Sequence, residues 1–369
     1  AHGKNVAIGN EALTTLNAGT DAYNIAVGYD AGKAMSTGQS NVVIGGEAGK
    51  ALTTVSANVA IGRNALMTED TEGLAVAIGH SALKLQNAAA ATYNVAVGYS
   101  TGSEISTGVS NTLIGGLAGD ALTTGGYNVA IGFNALSAED TNGYNVAVGY
   151  QALELQNAGV DAYNVAVGYG AGENVTTGPY NTLIGGLAGD AITSGNRNTV
   201  LGYNALSTET TGHRSVAIGT GALRLQNGVG AEVYNTAVGY NAGESMTTGV
   251  QNTIIGGLAG DALTTGSYNT AIGYLALSAE DTHGYNTAIG REALTAQNAG
   301  ANAYNVAVGF QAGKTVSTGV RNIIIGGVAG DALTTGSYNV AIGHEALSTE
   351  DTHGYNVAVG YRALKTLNA

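Results

Sequence analysis

The chain has 369 residues, of which 59 are glycine and one is proline, and it contains no cysteine or tryptophan. Its 13 basic and 26 acidic residues give a net charge of −13, which disfavours nucleic acids and anionic membranes as partners because both are polyanions. No apolar run approaches the ~18 residues of a membrane helix, and the lack of cysteine excludes disulfides and thiolate metal sites. With 44% apolar and 11% charged residues, the chain can nevertheless bury a core.

A short motif, Asn-x-Ala-x-Gly, recurs along the whole chain and decides the predicted architecture. It occurs in 21 copies, with Asn at the first position in 19 and Gly at the fifth position in all 21. The first copies start at Asn5, Asn24, Asn41 and Asn58, so that one long interval is followed by shorter, equal ones. The same series restarts at Ala75, and four units, which we call a, b, c and d, therefore form one block. The blocks are residues 5–74, 75–144, 145–214, 215–285 and 286–355, followed by a partial block, 356–369.

One unit is too short for a strand, a helix and their turns, but it suits one coil of a parallel β-solenoid. Val129–Ile131 and Val146–Val148 place β-branched residues on either side of Ala, which predicts short strands. Gly132 has the backbone freedom that a corner requires, and Ala135–Leu136 is predicted to form a second short apolar side. The polar segment Ser137–Gly143 is predicted to turn the chain back. We therefore predict an all-β fold, a β-roll of about 21 coils that forms one continuous domain over residues 1–369. At a rise of ~4.8 Å per coil, it would be a rod of about 100 Å.

Identical residues recur at fixed positions, which we number from the first residue of the motif as position 0. All 20 Tyr and both Phe lie at positions −1 or +5, and Thr dominates position +13 of units b, c and d. Stacked coils would bring such residues into columns, in which Asn amides and Thr hydroxyls can hydrogen-bond from coil to coil. The residues chosen to represent these structural ladders are Asn128, Asn145, Gly132, Gly149, Thr107, Thr124, Thr141, Tyr127 and Tyr144.

The strands predict an association of chains. Positions +1 and +3 are nearly always Val, Ile, Leu or Thr, and position +2 is Ala in most units but a bulky apolar residue, such as Leu113, in every unit c. Because +1 and +3 face one way and +2 the other, both strand faces are predicted to be buried. Either several chains pack along the solenoid, which we favour, or +2 faces another side of the same coil.

The tandem motif resembles the head repeat of YadA-type trimeric autotransporter adhesins, most clearly at Asn58–Gly62, Asn128–Gly132 and Asn339–Gly343. Asn145–Leu153 is similar to units of bacteriophage tail-fibre proteins. The resemblance covers essentially the whole chain and implies a left-handed parallel β-roll, three chains deep, that serves attachment. The units are longer than those of the adhesins, and no neck, stalk or anchor is recognised, so we expect a fibre shaft. Capping repeats are not recognised either, which suggests a piece of a longer shaft or chains that stack end to end.

The acidic residues form two columns, one of which carries the calcium candidates. Unit c carries Asp120, Asp190, Asp261 and Asp331. The carboxylates of both columns could bind Ca²⁺ between neighbouring coils or chains, but they have no known calcium spacing, and we favour solvated turn residues that keep the protein soluble. His283 and His353 lie one block apart, about 19 Å, so they cannot share a metal ion. No other cofactor is expected. The calcium candidates are Glu139, Asp140, Glu280, Asp281, Glu350 and Asp351.

No catalytic motif interrupts the repeat, so we do not expect an enzyme. The Tyr columns could stack on sugar rings, although we favour packing between coils or chains. The sequence predicts an extracellular structural fibre for attachment at a virion or bacterial surface, with a homotrimer and a host-surface glycan or protein receptor as its partners. The alternative is a self-assembling extracellular filament built by head-to-tail stacking, and a remote one is a glycan-active enzyme on a solenoid. The long turn of unit a, such as Leu155–Tyr163, is where binding differences would lie.

Overall fold

The structure is a computed structural model that describes residues 3–70, 73–228, 230, 232–349 and 351–366. Within these ranges the chain contains strands and turns and no helix. The described part also offers no helix that is long and apolar enough to cross a membrane.

Every strand has three residues and comprises positions +1 to +3 of one unit. Strands this short form because Val, Ile or Thr at +1 favours extended backbone and the glycine at +4 ends it. The strands are β1 (Val6–Ile8), β2 (Ile25–Val27), β3 (Val42–Ile44), β4 (Val59–Ile61), β5 (Val76–Ile78), β6 (Val95–Val97), β7 (Thr112–Ile114), β8 (Val129–Ile131), β9 (Val146–Val148), β10 (Val165–Val167), β11 (Thr182–Ile184), β12 (Thr199–Leu201), β13 (Val216–Ile218), β14 (Thr236–Val238), β15 (Thr253–Ile255), β16 (Thr270–Ile272), β17 (Thr287–Ile289), β18 (Val306–Val308), β19 (Ile323–Ile325), β20 (Val340–Ile342) and β21 (Val357–Val359).

The chain divides into two compact parts, Ala1–Asn181 with β1–β10 and Thr182–Ala369 with β11–β21. Within each part, every strand pairs in parallel with the next strand of the chain. Equivalent residues are opposite each other: Val129 pairs with Val146, and Val146 with Val165. Each of these two parts of the chain is therefore a parallel β-solenoid in which one repeat is one coil. The prediction of stacked coils is confirmed.

The core lies inside the coils. In β2–β21 the middle residue, position +2, is buried, whether it is Ala130 or the larger Leu113. Ala135 and Leu136, which follow the corner glycine of the same coil, are also fully buried, as predicted from the sequence. Position +2 thus faces the interior of its own coil, which was the second of the two interpretations of this position. Positions +1 and +3 lie on the outer side of the strand and remain partly exposed, as at Ile131.

The glycine at +4 is required by both backbone and space. Gly132 and Gly149 have φ of 138° and 144°, a region that residues with a Cβ rarely adopt. A Cβ on Gly132 would lie 2.2 Å from the carbonyl oxygen of Gly149 in the next coil. These glycines therefore allow successive corners to stack directly on each other.

Three other positions of each coil have a positive φ even where the residue is not glycine. In the coil that contains β8, Tyr127, Asn134 and Leu136 have φ of 61°, 54° and 53°. Non-glycine residues in this region are uncommon, so the recurrence at −1, +6 and +8 is a property of the coil. The sequence did not predict it.

Candidate functional site

Most coils are joined to a neighbouring coil by the Asn column. The backbone N–H of Asn145 donates to Oδ1 of Asn128 at 3.0 Å, and that of Asn128 donates to Oδ1 of Asn111 at 2.9 Å. All three side chains are fully buried. Where the motif lacks Asn, the backbone still donates: the N–H of Ala75 bonds to Oδ1 of Asn58 at 3.0 Å. The buried side-chain oxygens thus satisfy a row of backbone donors.

The same Asn residues also close their own coils in units b, c and d. Nδ2 of Asn111 donates to the carbonyl of Gly125 at 2.9 Å, and Nδ2 of Asn164 to that of Gly178 at 2.8 Å. In unit a, by contrast, Nδ2 of Asn145 and of Asn286 is buried with no hydrogen-bond partner. Both departures from Asn, Ala75 and Ser215, fall in unit a. Unit a tolerates them because its position 0 has no closing bond to lose.

A buried Glu–Gln pair replaces the apolar residues found elsewhere at position +11. Glu139 of unit d and Gln156 of the following unit a are both fully buried, and Nε2 of Gln156 donates to Oε2 of Glu139 at 3.2 Å. Oε1 of Glu139 accepts the backbone N–H of Asn142 at 3.1 Å. Oε1 of Gln156 accepts from Nδ2 of Asn164 at 2.8 Å. The pair recurs as Glu69–Gln86 and Glu209–Gln226, both at 3.0 Å.

The Glu–Gln pairs correct one sequence expectation. The acidic residues of unit d were expected to be solvated turn residues, but Glu69, Glu139, Glu209 and Glu280 are fully buried. The carboxylate of Glu139, a calcium candidate, is occupied by hydrogen bonds from its own and the next coil. The aspartates that follow, Asp140 and Asp281, are partly exposed. Their backbone carbonyls accept from Oγ1 of Thr123 and Thr264 at 2.9 and 2.7 Å.

The fourth block differs from the first three. Oε2 of Glu280 and Nε2 of Gln297 are buried without hydrogen-bond partners, and burial raises the pKa of Glu280 above its usual range. Glu280, Asp281 and His283 each place a ligand atom within 4.8 Å of the others. Oε1 of Glu280 accepts the backbone N–H of His283 at 3.1 Å. Three such residues could hold a transition metal more readily than Ca²⁺, which prefers oxygen ligands only. Glu350 lies outside the described residues, and Asp351 accepts through its backbone carbonyl from Thr334 at 2.7 Å.

The Thr ladder is one residue earlier in the coil than the sequence predicted. Thr107, Thr124 and Thr141 at position +13 are exposed. Hydroxyls at position +12 bond to the next coil: Ser106 donates to the carbonyl of Thr123 at 3.2 Å, and Thr123 donates to that of Asp140. The hydroxyl of Thr265, at +13, reaches the carbonyl of Thr282 at a longer 3.4 Å.

The aromatic residues form two columns, the −1 column and the +5 column. In the −1 column the ring of Tyr144 stacks on Tyr127 at 5.1 Å and on Tyr163 at 5.0 Å between centroids. In the +5 column Tyr150 stacks on Phe133 at 5.7 Å and on Tyr169 at 5.3 Å. These spacings are typical of favourable aromatic pairs. The predicted packing of Tyr from coil to coil is therefore present within the chain.

Arginine continues the aromatic columns at some positions where a ring is missing, a feature that was not predicted from the sequence. The guanidinium of Arg321 lies 5.7 Å from the ring centroid of Tyr304 and 5.5 Å from that of Tyr338. Arg291 lies 5.9 Å from the rings of both Tyr274 and Phe310. These are cation–π distances, so the columns continue across these two positions. The available signal was the presence of Arg at positions −1 and +5 themselves.

We use the term outer face for positions −1, +1, +3 and +5, which include both aromatic columns and the outer sides of the strands. Its composition is unlike that of the rest of the chain. None of the 26 acidic residues lies at these four positions in any unit. Six of the 13 basic residues do: Lys4, Arg63, Arg197, Arg214, Arg291 and Arg321. The outer face is thus apolar, aromatic and weakly basic on a strongly acidic chain.

No protein-family model matches this chain, and no curated protein matches it.

Proposed function

We propose that this protein is a non-catalytic structural fibre, extracellular and built for attachment at a virion or bacterial surface, in which three left-handed solenoid chains associate through their outer faces. The observation that carries the proposal is the outer face. It combines partly exposed Val and Ile side chains with two aromatic columns and excludes every acidic residue of a chain whose net charge is −13.

Charge explains why this face suits self-association. Two copies of a chain with this net charge repel each other unless they meet where the acidic residues are absent. Ile114 in β7 and Leu201 in β12 are among the side chains that an association would remove from water. Contiguous exposed apolar surface of this kind usually marks an interface. Three chains would each cover part of their outer faces in this way.

The interior of the coils supports a mechanical role. Buried Asn, Glu and Gln side chains are hydrogen-bonded from coil to coil, so that loosening one coil would leave buried polar groups without partners in the next. An arrangement of this type resists local opening, which is useful for a fibre exposed to proteases.

Catalysis has weaker support than a structural role. Oγ of Ser81 lies 3.0 Å from Nδ1 of the adjacent His80, which places a hydroxyl beside a base. The ring of His80, however, stacks on Tyr99 as a member of the +5 column. Packing within the column therefore explains the position of this histidine without a reaction.

The mass of the purified chain in solution tests the proposal. Sedimentation equilibrium should give about three times the chain mass of 36.6 kDa. The double variant I114E/I131E, which places two carboxylates on the outer face, should sediment as a monomer with an unchanged circular-dichroism spectrum. The matched control T124E/T141E adds the same charges at exposed turns of the same two coils and should remain a trimer. A wild-type mass of one chain, or a trimeric outer-face variant, would refute the proposal.

Electron microscopy separates the proposal from its alternatives. Particles of one fixed length support an attachment shaft. Fibres that lengthen with protein concentration would instead indicate head-to-tail filaments. Hydrolysis of a polysaccharide by the purified chain would indicate an enzyme and contradict the proposal.

A further inference from the structure

The +5 column contains a gap in every block. Position +5 of unit c is glycine, at Gly46, Gly116, Gly186, Gly257 and Gly327, whereas most other units carry an aromatic residue there. Neither backbone nor space demands these glycines, since none has a positive φ. A Cβ on Gly46 would meet nothing within 4 Å. The atom nearest to a Cβ on Gly116 would be a ring carbon of Phe133, at an ordinary 3.5 Å. Glycine at this position therefore leaves open a space that a side chain could fill.

Aromatic rings border this space above and below. Tyr99 precedes Gly116 by one coil and stacks on His80, with centroids 5.4 Å apart and ring planes 19° apart. Phe133 follows by one coil and stacks on Tyr150, 5.7 Å away and 18° apart. Because the rings of the column are nearly parallel, Tyr99 and Phe133 turn ring faces towards Gly116. We call Tyr99, Gly116 and Phe133 an aromatic slot.

The height of the slot fits one ring. Two coil rises separate the bordering rings by ~10 Å, so a ring midway would lie ~5 Å from each. The stacked rings of this chain have the same spacing, 4.9–5.9 Å. Tyr240, Gly257 and Tyr274 form an equivalent slot in the fourth block.

Exposure of the bordering tyrosines is consistent with an open slot. Tyr99 and Tyr240, which precede a slot, are 60% exposed, whereas Phe133 and Tyr274, which follow one, are 46% and 48% exposed. Tyr150, which has a ring stacked on both of its faces, is 43% exposed. The preceding tyrosine therefore offers the ring face that water, or a ligand, can reach most readily.

We propose that each aromatic slot binds one neutral hexopyranose ring at the end of a glycan chain. The inference rests on the proposed attachment role and names its ligand class. A pyranose presents C–H groups on its faces, and these pack on aromatic rings while the hydroxyls at its edge remain in water. A neutral sugar is favoured over an anionic one because the chain carries a net charge of −13. The sugar must be terminal because the slot is one ring thick.

Many rings of a second copy would not fit the slot. They belong to rows in which the adjacent coils also carry rings, as Tyr127, Tyr144 and Tyr163 do, and a ring whose neighbours project equally far cannot enter a gap one coil high. A sugar at the end of a flexible chain has no such neighbours and can enter alone.

Repetition of the slot would strengthen weak individual contacts. Gly257 and Gly327 are four coils apart in sequence, and Gly327 also has a ring at position +5 of the coils before and after it, Phe310 and His344. Four coils correspond to ~19 Å, so a branched glycan or a glycan-covered surface can occupy neighbouring slots together. Binding through several linked sites raises the overall affinity by orders of magnitude without any new contact.

Saturation-transfer NMR tests the slot on the full chain. The probes are the methyl glycosides of glucose, galactose and N-acetylglucosamine, and wild-type protein should transfer saturation to the ring C–H protons of at least one. The variant G46Y/G116Y/G186Y/G257Y/G327Y fills the slots and should reduce the transferred saturation at least tenfold. The matched variant with Ala at the same five positions leaves most of the space open and should stay within twofold of wild type.

Three outcomes would overturn the slot proposal. They are an absence of transfer to all three glycosides, transfer that survives in the Tyr variant, and transfer to N-acetyltyrosinamide alone, which would assign the slot to an aromatic peptide. Circular dichroism and sedimentation of each variant verify the fold. A trimer that binds no glycoside contradicts the slot alone, and a monomer that binds one contradicts the proposed trimer alone.

Discussion

Replacing Asn by Ala should have very different effects at two neighbouring copies of the motif. Asn164, in unit b, makes three buried hydrogen bonds: Nδ2 donates to the carbonyl of Gly178 and to Gln156, and Oδ1 accepts the backbone N–H of Asn181 at 2.7 Å. Asn145, in unit a, is equally buried, but its Nδ2 has no partner and only its Oδ1 accepts, from the Asn164 N–H at 3.1 Å. Identical substitutions therefore remove different numbers of hydrogen bonds.

The expected difference follows from the value of one hydrogen bond. A buried hydrogen bond contributes about 1 kcal/mol, and a buried group left without its partner costs about 1–3 kcal/mol. N164A should therefore reduce the free energy of unfolding by about 3–5 kcal/mol. N145A should cost about 1 kcal/mol, because it also removes a buried donor that had no acceptor. Ala75 already occupies the position equivalent to Asn145 in the natural chain.

Urea unfolding followed by circular dichroism measures both variants. Because long repeat proteins can unfold in parts, the comparison is valid only if both variants keep the wild-type m-value. Hydrogen exchange of the backbone amides near Asn181 gives a local check, and these amides should lose protection in N164A only. Equal losses of stability in the two variants, or a larger loss in N145A, would refute the assignment of the closing bond.

Three further predictions concern glycine, the buried Glu and pH. G149A should abolish folding or greatly lower the melting temperature, because its Cβ would lie 2.1 Å from a carbonyl oxygen of the next coil. G116A should change the melting temperature little, because no atom of a neighbouring coil would lie closer than 3.5 Å to its Cβ. Similar melting temperatures of the two variants would contradict the steric role of Gly149. In urea titrations, E139Q should lower the free energy of unfolding by about 1–3 kcal/mol, because it turns an NH₂ group towards Nε2 of Gln156. E280Q should leave this free energy unchanged or raise it, because Oε2 of Glu280 accepts no hydrogen bond. In a pH series, the melting temperature should rise slightly as the pH falls towards about 4.5, because the raised pKa of Glu280 makes the folded state bind a proton before the unfolded state does. The melting temperature should fall below pH 4, because Lys365 and Arg362 hold the pKa of Glu345 at about 2 and the stabilisation by its carboxylate is lost as the pH approaches that value. A steady fall of the melting temperature from pH 7 would contradict the direction of the Glu280 effect.

The strands could be predicted because the coil imposes a strict period on the sequence. Val129 and Val146 occupy the same position of successive motifs, and in-register parallel pairing follows directly once each repeat is one turn. Gly132 was also predictable, since glycine is invariant at a position where a carbonyl of the next coil leaves no room for a Cβ. Period and steric demand both leave clear traces in a repeated sequence.

The polar interior could not be predicted in the same way. Glu139 follows a turn and is adjacent to Asp140, so its sequence context is that of a solvated loop. Its burial depends on Gln156 in the following coil, which supplies the compensating donor only when the coils stack. The closing bond from Asn164 to Gly178 likewise spans the inside of a coil, and no local pattern reveals which residues face each other across that interior.

The Glu–Gln pair has a consequence for how such a chain can grow or shrink. Glu139 ends one block and Gln156 belongs to the next, so loss of the single coil between Asn145 and Tyr163 would set Glu139 beneath the apolar Val175. Excising or duplicating four consecutive coils instead restores an identical neighbour on both sides of the cut. Gene duplication and recombination can therefore lengthen this protein safely only in steps of four coils, which makes the block, and not the coil, its inheritable unit of length.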